Sequence, residues 1–298
     1  MLSSDNHVRV LYIAGYRRSG STVLHNLLGQ INDFFAVGEL RNIWSHGLAR
    51  NVDCGCGRRF ANCPFWKKVV AEAFGSAQNI NAGAMVRTTR QAIFRRLPLL
   101  AFSRGRVRLR SQFAGYIRRL AVLYKAVQSI SGCRVIVDSS KVPLYAHLLS
   151  CASGIDVRVL HLTRDARGAI FSCITSGLPA RPLAWDGVNI GAEMLRRYSG
   201  IPYTHQRYED FCRRPQHVTA DLLRWMNEEQ PLPFVDGKTF YKRPTHSVAG
   251  NPSRRDTGRT EIRASDAWKR EMNTKEVVTT TALTGPLLAR YGYALWPG

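Results

Sequence analysis

The chain of 298 residues sets 43 lysines and arginines against 21 acidic residues, a formal charge of +22, and 45% of it is hydrophobic. That is enough apolar material for one large or two small packed cores, and the charge points to anionic partners, although a solvated basic surface that only confers solubility has the same composition. No apolar run reaches bilayer length, and the opening MLSSDNHVRV lacks the basic region, apolar core and small-residue cleavage site of a signal peptide.

A cytoplasmic protein is therefore expected, and seven scattered cysteines, an odd number, suit a reducing compartment. The first element is a strand through Val8, Val10, Leu11 and Ile13, which breaks into a Gly-, Ser- and Arg-rich turn from Gly15 to Thr22. Val23, Leu24, Leu27, Leu28 and Ile31 then recur at helical spacing. Such a turn delivers unpaired N–H groups and the positive end of a helix dipole to one place, an anion site. Gly15-x-x-x-x-Gly20-Ser21-Thr22 has Walker A spacing, but Ser21 stands where the phosphate-binding lysine belongs, and Arg17 and Arg18 supply the charge instead. The ligand predicted is a phosphate or phosphate-like group, and an ordinary ATPase is not.

Phe34 to Leu40 hold a short apolar run that delivers one carboxylate, Glu39, just beyond its end, either a helix-start residue or, where the chain returns to the mouth of the anion site, a general base. Cys54, Cys56 and Cys63 follow. C-x-C with one further cysteine lacks the paired spacing of a standard zinc site, so a compact loop packed on Phe65 and Trp66 is expected in preference to a metal centre. Gly75 to Gly83 read as a loop, and ten arginines lie between Arg87 and Arg119. They predict amphipathic helices with a solvated basic face, or a docking surface for an anionic acceptor or a membrane.

A second strand, Arg134 to Asp138, leads through Ser139, Ser140 and Lys141 into a helix after Pro143, placing Lys141 at the ligand edge of a parallel sheet. A third, Asp156 to Thr163, turns through Arg164, Asp165 and Arg167 into a helix bearing Ser172. There Arg164 faces an anion and Asp165 starts the helix. A fourth runs from Ile201 to Arg207, and after Tyr208-Glu209-Asp210-Phe211 a helix opens at Pro215 with Val218, Leu222, Leu223 and Met226. Residues 242–258 form a long loop whose His246, Asn251 and Arg254 close over a ligand, and Ile262 to Trp296 return to helical packing. The alternation predicts one three-layer α/β domain over 1–298 with a mostly parallel sheet, a P-loop-like nucleotide site and a helical, Arg-rich insertion at about 67–130.

Taken together in this order, these motifs resemble the PAPS-dependent sulfotransferase family, its bacterial members and the tyrosylprotein sulfotransferases above all. Tyr16 to Thr22 is similar to the family's loop for the 5′-phosphosulfate of the donor 3′-phosphoadenosine 5′-phosphosulfate (PAPS). Arg164-Asp165-x-Arg167 with Ser172 is similar to its 3′-phosphate site, and Tyr208 to Phe211 with Pro215 to its strand-end motif. Asp138-Ser-Ser-Lys141-x-Pro143 matches the lysine near the transferred group, and His246 to Arg254 the bacterial donor-covering loop. Two departures stand out: Arg17 where many relatives have proline, and Ser176 where the tyrosylprotein enzymes have another arginine.

The resemblance implies direct in-line transfer of a sulfuryl group to a hydroxyl or amine, leaving 3′-phosphoadenosine 5′-phosphate (PAP), with no covalent intermediate and no obligatory metal. It assigns Arg17, Arg18, Ser19, Gly20, Ser21, Thr22, Arg164, Ser172, Tyr208, Asn251 and Arg254 to the donor, Glu39 to the acceptor's proton, and Lys141 and Arg18 to the developing charge. The acceptor expected is a small molecule, saccharide, lipid or peptide, anionic ones included, with peripheral membrane contact as a further partner. A P-loop kinase would need a lysine at position 21 and a metal-holding carboxylate, for which Asp138 is the one candidate. A non-enzymatic basic module for nucleic acid or anionic lipid fits the charge, but no nucleic-acid motif with stacking aromatics accompanies it, so specific nucleic-acid binding is not expected.

Overall fold

The computed structural model describes residues 7–93 and 96–296. Five strands, β1 (Val8–Ala14), β2 (Phe34–Gly38), β3 (Val135–Lys141), β4 (Ile155–Thr163) and β5 (Tyr203–Arg207), form one sheet in the order β2-β3-β1-β4-β5, and every neighbouring pair is parallel. The apolar runs of β1, β2 and the first half of β3 are near-continuous because both faces are covered there. Along β1, Val10, Tyr12 and Ala14 enter one core while Leu11 and Ile13 enter the other. A separate antiparallel pair, β6 (Thr239–Lys242) and β7 (Gly258–Glu261), brackets the loop of 243–257.

The helices are α1 (Ser21–Leu28), α2 (Pro64–Phe74), α3 (Ala82–Ile93), α4 (Ser103–Gln112), α5 (Ala114–Ser131), α6 (Pro143–Ser150), α7 (Ala166–Ile174), α8 (Pro182–Tyr198), α9 (Tyr208–Arg213), α10 (Pro215–Met226), α11 (Trp268–Glu271) and α12 (Thr274–Arg290). On one face of the sheet Leu24, Leu27 and Leu28 of α1 meet Phe211 of α9 and Leu222 and Met226 of α10. On the other, Trp66 of α2, Leu120 and Tyr124 of α5 and Leu144 and Tyr145 of α6 share a core with Tyr12 and Ile136. A third cluster joins Ile170 of α7, Trp185 of α8, Trp268 of α11 and Leu288 of α12. Each buried leucine contributes about 1.5–3 kcal/mol, so the three of α1 hold it to the sheet far more firmly than the intrinsic propensity of an eight-residue helix.

The connection through α1 leaves β1 on one face towards β2, and the connection through α6 carries β3 past β1 to β4 on the other. The crevice of such a sheet opens at the carboxyl ends of the strands where the connections diverge. Two local readings change. The fourth strand begins at Tyr203, since Pro202 offers only its carbonyl, which accepts from Val159 N at 2.8 Å. Tyr208 to Phe211 open helix α9, with Glu209 and Asp210 in its first turn, where the helix dipole favours carboxylates. Among the described residues no helix is long and apolar enough to cross a membrane.

Candidate active site

The loop after β1 is threaded between the ends of its two neighbours. Gly15 N donates to Lys141 O at 3.1 Å, and a Cβ on Gly15 would stand 2.2 Å from Leu162 O, so no side chain fits. Arg18 is held at φ +65° and Gly20 at φ +83°, the left-handed region that is strained for arginine. A Cβ on Gly20 would meet the Tyr208 ring at 2.4 Å. Helix α1 then starts with no side-chain cap and no acidic residue in its first turn. Its first N–H groups have no intrahelical acceptor, and Gly20, Ser21 and Thr22 donate their amides to no other described residue. Ser19 Oγ is buried without a partner in the same loop. Unpaired donors around a loop with no carboxylate are the make-up of an anion cradle.

Two arginines fix this loop. Arg18 Nε donates to Ser172 Oγ at 2.8 Å, tying the loop to α7. Arg164 donates to Arg18 O at 2.9 Å and to Ser265 O at 2.7 Å while its guanidinium lies 4.6 Å from the centre of the Tyr208 ring. The Tyr208 hydroxyl is itself engaged, accepting from Ser265 N at 3.1 Å and donating to Arg263 O at 3.3 Å. Arg164 and Tyr208 thus brace the loop from behind.

Across the sheet edge, Lys141 Nζ meets Glu39 Oε1 at 2.5 Å and Ser139 O at 3.1 Å. Lys141 sits at φ +71°, and the ladder between β1 and β3 slips by one residue beside it, a bulge that aims its side chain off the strand path. Asn42 Nδ2 donates to Glu39 Oε2 at 3.0 Å, so both carboxylate oxygens are held. Burial by itself would raise the Glu39 carboxyl, but the Lys141 ammonium outweighs it and holds the group below its usual range. Glu39 is ionised at neutral pH, and about a sixth of each side chain reaches solvent, 18% for Glu39 and 16% for Lys141.

In three dimensions the whole chain superposes on sulfotransferase domains. It matches the one from the curacin biosynthetic pathway over 97% of this chain and 99% of that one, at a TM-score of 0.52 and 17% identity. It matches the one from the Synechococcus PCC 7002 olefin synthase over 99% and 98%, at 0.55 and 18%. The fold is that of the sulfotransferases. No protein-family profile and no curated protein matches the sequence.

Within this sulfotransferase fold, the carboxyl edge gathers Glu39 after β2, Lys141 at the end of β3, the Gly15 to Thr22 loop after β1, and Arg164 and Ser172 after β4. Other residues marked in the sequence lie elsewhere or have other partners. Arg17 is exposed on the loop. Arg167 pairs with Asp165 through 2.9 and 2.7 Å bonds, stacks on Trp268 and donates to the carbonyls of Ala294 and Leu295, so it welds the C-terminal segment to α7. Asp165 caps α7 by accepting from Arg167 N at 2.9 Å, as its helix-start reading implies. Asn251 caps a short helical turn over Pro252–Arg255, and Arg254 donates to Asp53 O at 2.7 Å, facing the cysteine-rich loop. Asp138 is fully buried, bonded by Tyr124 Oη and by Ser140 N at 2.7 Å. Burial, moderated by those hydrogen bonds, pushes it up to about 6.

Three contributors escaped the sequence. Asn42 orients Glu39; Ser265 receives Arg164; and His25 Nε2 accepts from Gly38 N at 2.7 Å, fixing the backbone just before Glu39. The last had a signal, a histidine in the apolar stripe of α1. The others are polar residues in loops, indistinguishable there from solvated ones.

Proposed function

We propose that the protein transfers a sulfuryl group from PAPS to a hydroxyl or amine by direct in-line displacement. The observation that supports this most is the braced, lysine-free loop: unpaired amides at the start of α1 and the orphaned Ser19 Oγ beside Arg18, which itself reaches Ser172 of the next βα unit. Such transfer asks the protein to position two reactants and to neutralise charge gathering on the leaving oxygen, with little covalent chemistry. Arg18 and the amides of Gly20, Ser21 and Thr22 serve that oxygen and the 5′-phosphate. Ser172, freed as Arg18 turns to the 5′-phosphate, serves the 3′-phosphate, and Arg164 and Tyr208 act as positioning residues. The loop of Asn251 and Arg254 covers the donor.

The Lys141–Glu39 pair gives the reaction its order. While Lys141 sits on Glu39, the carboxylate is a poor base. When Lys141 turns to the transferred group, Glu39 loses the charge that depressed it and becomes able to accept the acceptor's proton as the new S–O or S–N bond forms and PAP leaves. The kinase reading lacks its parts: Ser21 replaces the lysine, and Asp138 is enclosed beneath Tyr124. The exposed arginines of α4, Arg104, Arg108 and Arg110, beside exposed Phe102 and Val107, support an anionic acceptor with an apolar part. Sulfur-labelled PAPS and γ-labelled ATP offered to panels of saccharide, lipid, phenol and peptide acceptors test the proposal. Labelled sulfate should pass to one class and continue in excess chelator; phosphate transfer in its place would reject it.

A further inference from the structure

Away from the sheet edge, four metal-ligating side chains from two distant parts of the chain converge. The ligand atoms of Cys54, Cys56, Cys63 and His246 all lie within 4.8 Å of one another. Cys63 Sγ stands 3.2 Å and Cys54 Sγ 3.8 Å from His246 Nδ1, and the thiols of Cys56 and Cys63 are 3.8 Å apart. Zn–S bonds of about 2.3 Å and Zn–N bonds of about 2.0 Å in a tetrahedron require edges of about 3.8 Å between sulfurs and about 3.5 Å between sulfur and nitrogen. A disulfide would need its sulfurs at about 2.05 Å and would leave two further ligands without a role. We infer that Cys54, Cys56, Cys63 and His246 form a structural zinc site.

The surroundings are built for it. Cys54 to Gly57 make a tight turn, with Gly57 N donating to Cys54 O at 3.0 Å and Gly57 at φ +83°, which folds the first two thiols to one side. Cys63 is buried and precedes Pro64 at the N-terminus of the 11-residue helix α2, which fixes its direction. His246 is clamped: its ring stacks on Phe65 at 5.0 Å, and its carbonyl accepts from Trp66 Nε1 at 2.8 Å. Three thiolates and one neutral imidazole close a four-coordinate shell with no position for a reacting water, which marks a structural and not a catalytic centre.

The zinc would tie the cysteine loop to the segment between β6 and β7. That segment already donates Val248 N to Val37 O at 3.0 Å and accepts Gly55 N on Ser247 O at 2.9 Å. A few residues on, a Cβ at Gly250 would stand 3.7 Å from Glu39 Oε1, and Arg254 follows. The metal therefore fixes the segment that flanks the base, 183 residues from its nearest cysteine partner. This holds whatever group the enzyme transfers.

The test is metal analysis of the full chain purified with reductant and zinc chloride, backed by cobalt(II) exchange. Expected are about one zinc per chain, loss of most of it in Cys56→Ser and His246→Asn, and a cobalt form with thiolate charge-transfer bands and the intense visible bands of tetrahedral coordination. Zinc removal should also speed tryptic cleavage within 242–255. Folded, reduced wild-type protein that takes up neither zinc nor cobalt overturns the site, as does a Cys56–Cys63 disulfide in the native chain. Full zinc content in His246→Asn overturns the fourth ligand. Circular dichroism of both variants separates metal loss from unfolding, and cobalt spectra of the wild type decide the matter if neither variant folds.

Discussion

Glu39→Gln isolates the base from everything else at the sheet edge. The amide keeps an oxygen for Lys141 Nζ, now 2.5 Å from Glu39 Oε1, and Lys141 retains Ser139 O at 3.1 Å, so the lysine stays placed. The lost terms are the negative charge beside a mostly enclosed ammonium and the bond accepted from Asn42 at 3.0 Å. With a sixth of the pair in solvent, their loss costs about 1–2 kcal/mol of stability. Turnover suffers more, because a positioned general base contributes about 10²–10⁴-fold, or about 3–5 kcal/mol of barrier. Sulfation rates at saturating donor, with calorimetric titration of PAP on the same samples, give both numbers. Turnover should fall by that factor while PAP affinity stays within about threefold, since Glu39 has no part in the nucleotide cradle. Wild-type turnover would strip Glu39 of its role, and a parallel collapse of PAP binding would show that the residue holds the site together and does not move a proton.

Gly20→Ala should destabilise the fold by about 1–3 kcal/mol and abolish PAP binding, because φ is +83° and the new methyl meets the Tyr208 ring; thermal unfolding with and without PAP reads both effects. Acid should unfold the protein through its buried histidines. Burial lowers His25, His147 and His161 to about 4 from 6.5, so each stabilises the neutral-pH fold by about 3 kcal/mol, a contribution present above pH 6.5 and lost as the pH falls through 4. Asp138 opposes this, since a carboxyl raised to about 6 from 3.8 gains about 3 kcal/mol as the pH falls from 6 through 3.8. Urea midpoints should therefore decline between pH 6.5 and 4, and a flat profile would remove the argument.

The legible part of this protein was its local grammar. Short apolar, β-branched runs marked the strands, and the change of period across Gly15 to Thr22 marked the loop between β1 and α1, because both depend on residues a few positions apart. Partnership across the chain was not legible. Arg164 looked like a free anion ligand, yet it is engaged by the carbonyls of Arg18 and Ser265, and no pattern near position 164 signals a carbonyl 101 residues away. The three cysteines looked incomplete as a metal set for the same reason: their fourth partner, His246, sits in a loop whose own composition speaks only of turns. Asp138 read as a strand end, but β3 runs on to Lys141, and the Tyr124 hydroxyl holds the carboxylate in the core.

The most direct test of the donor assignment is a calorimetric titration of PAP and of ADP, which lacks the 3′-phosphate, into wild-type protein and Arg18→Ala. One PAP should bind per chain, at least about tenfold more tightly than ADP, and Arg18→Ala should weaken PAP by about 10–100-fold through the loss of charge-assisted bonds worth about 1.5–3 kcal/mol. Equal affinity for PAP and ADP, or an Arg18→Ala variant that binds PAP like the wild type, would contradict the account.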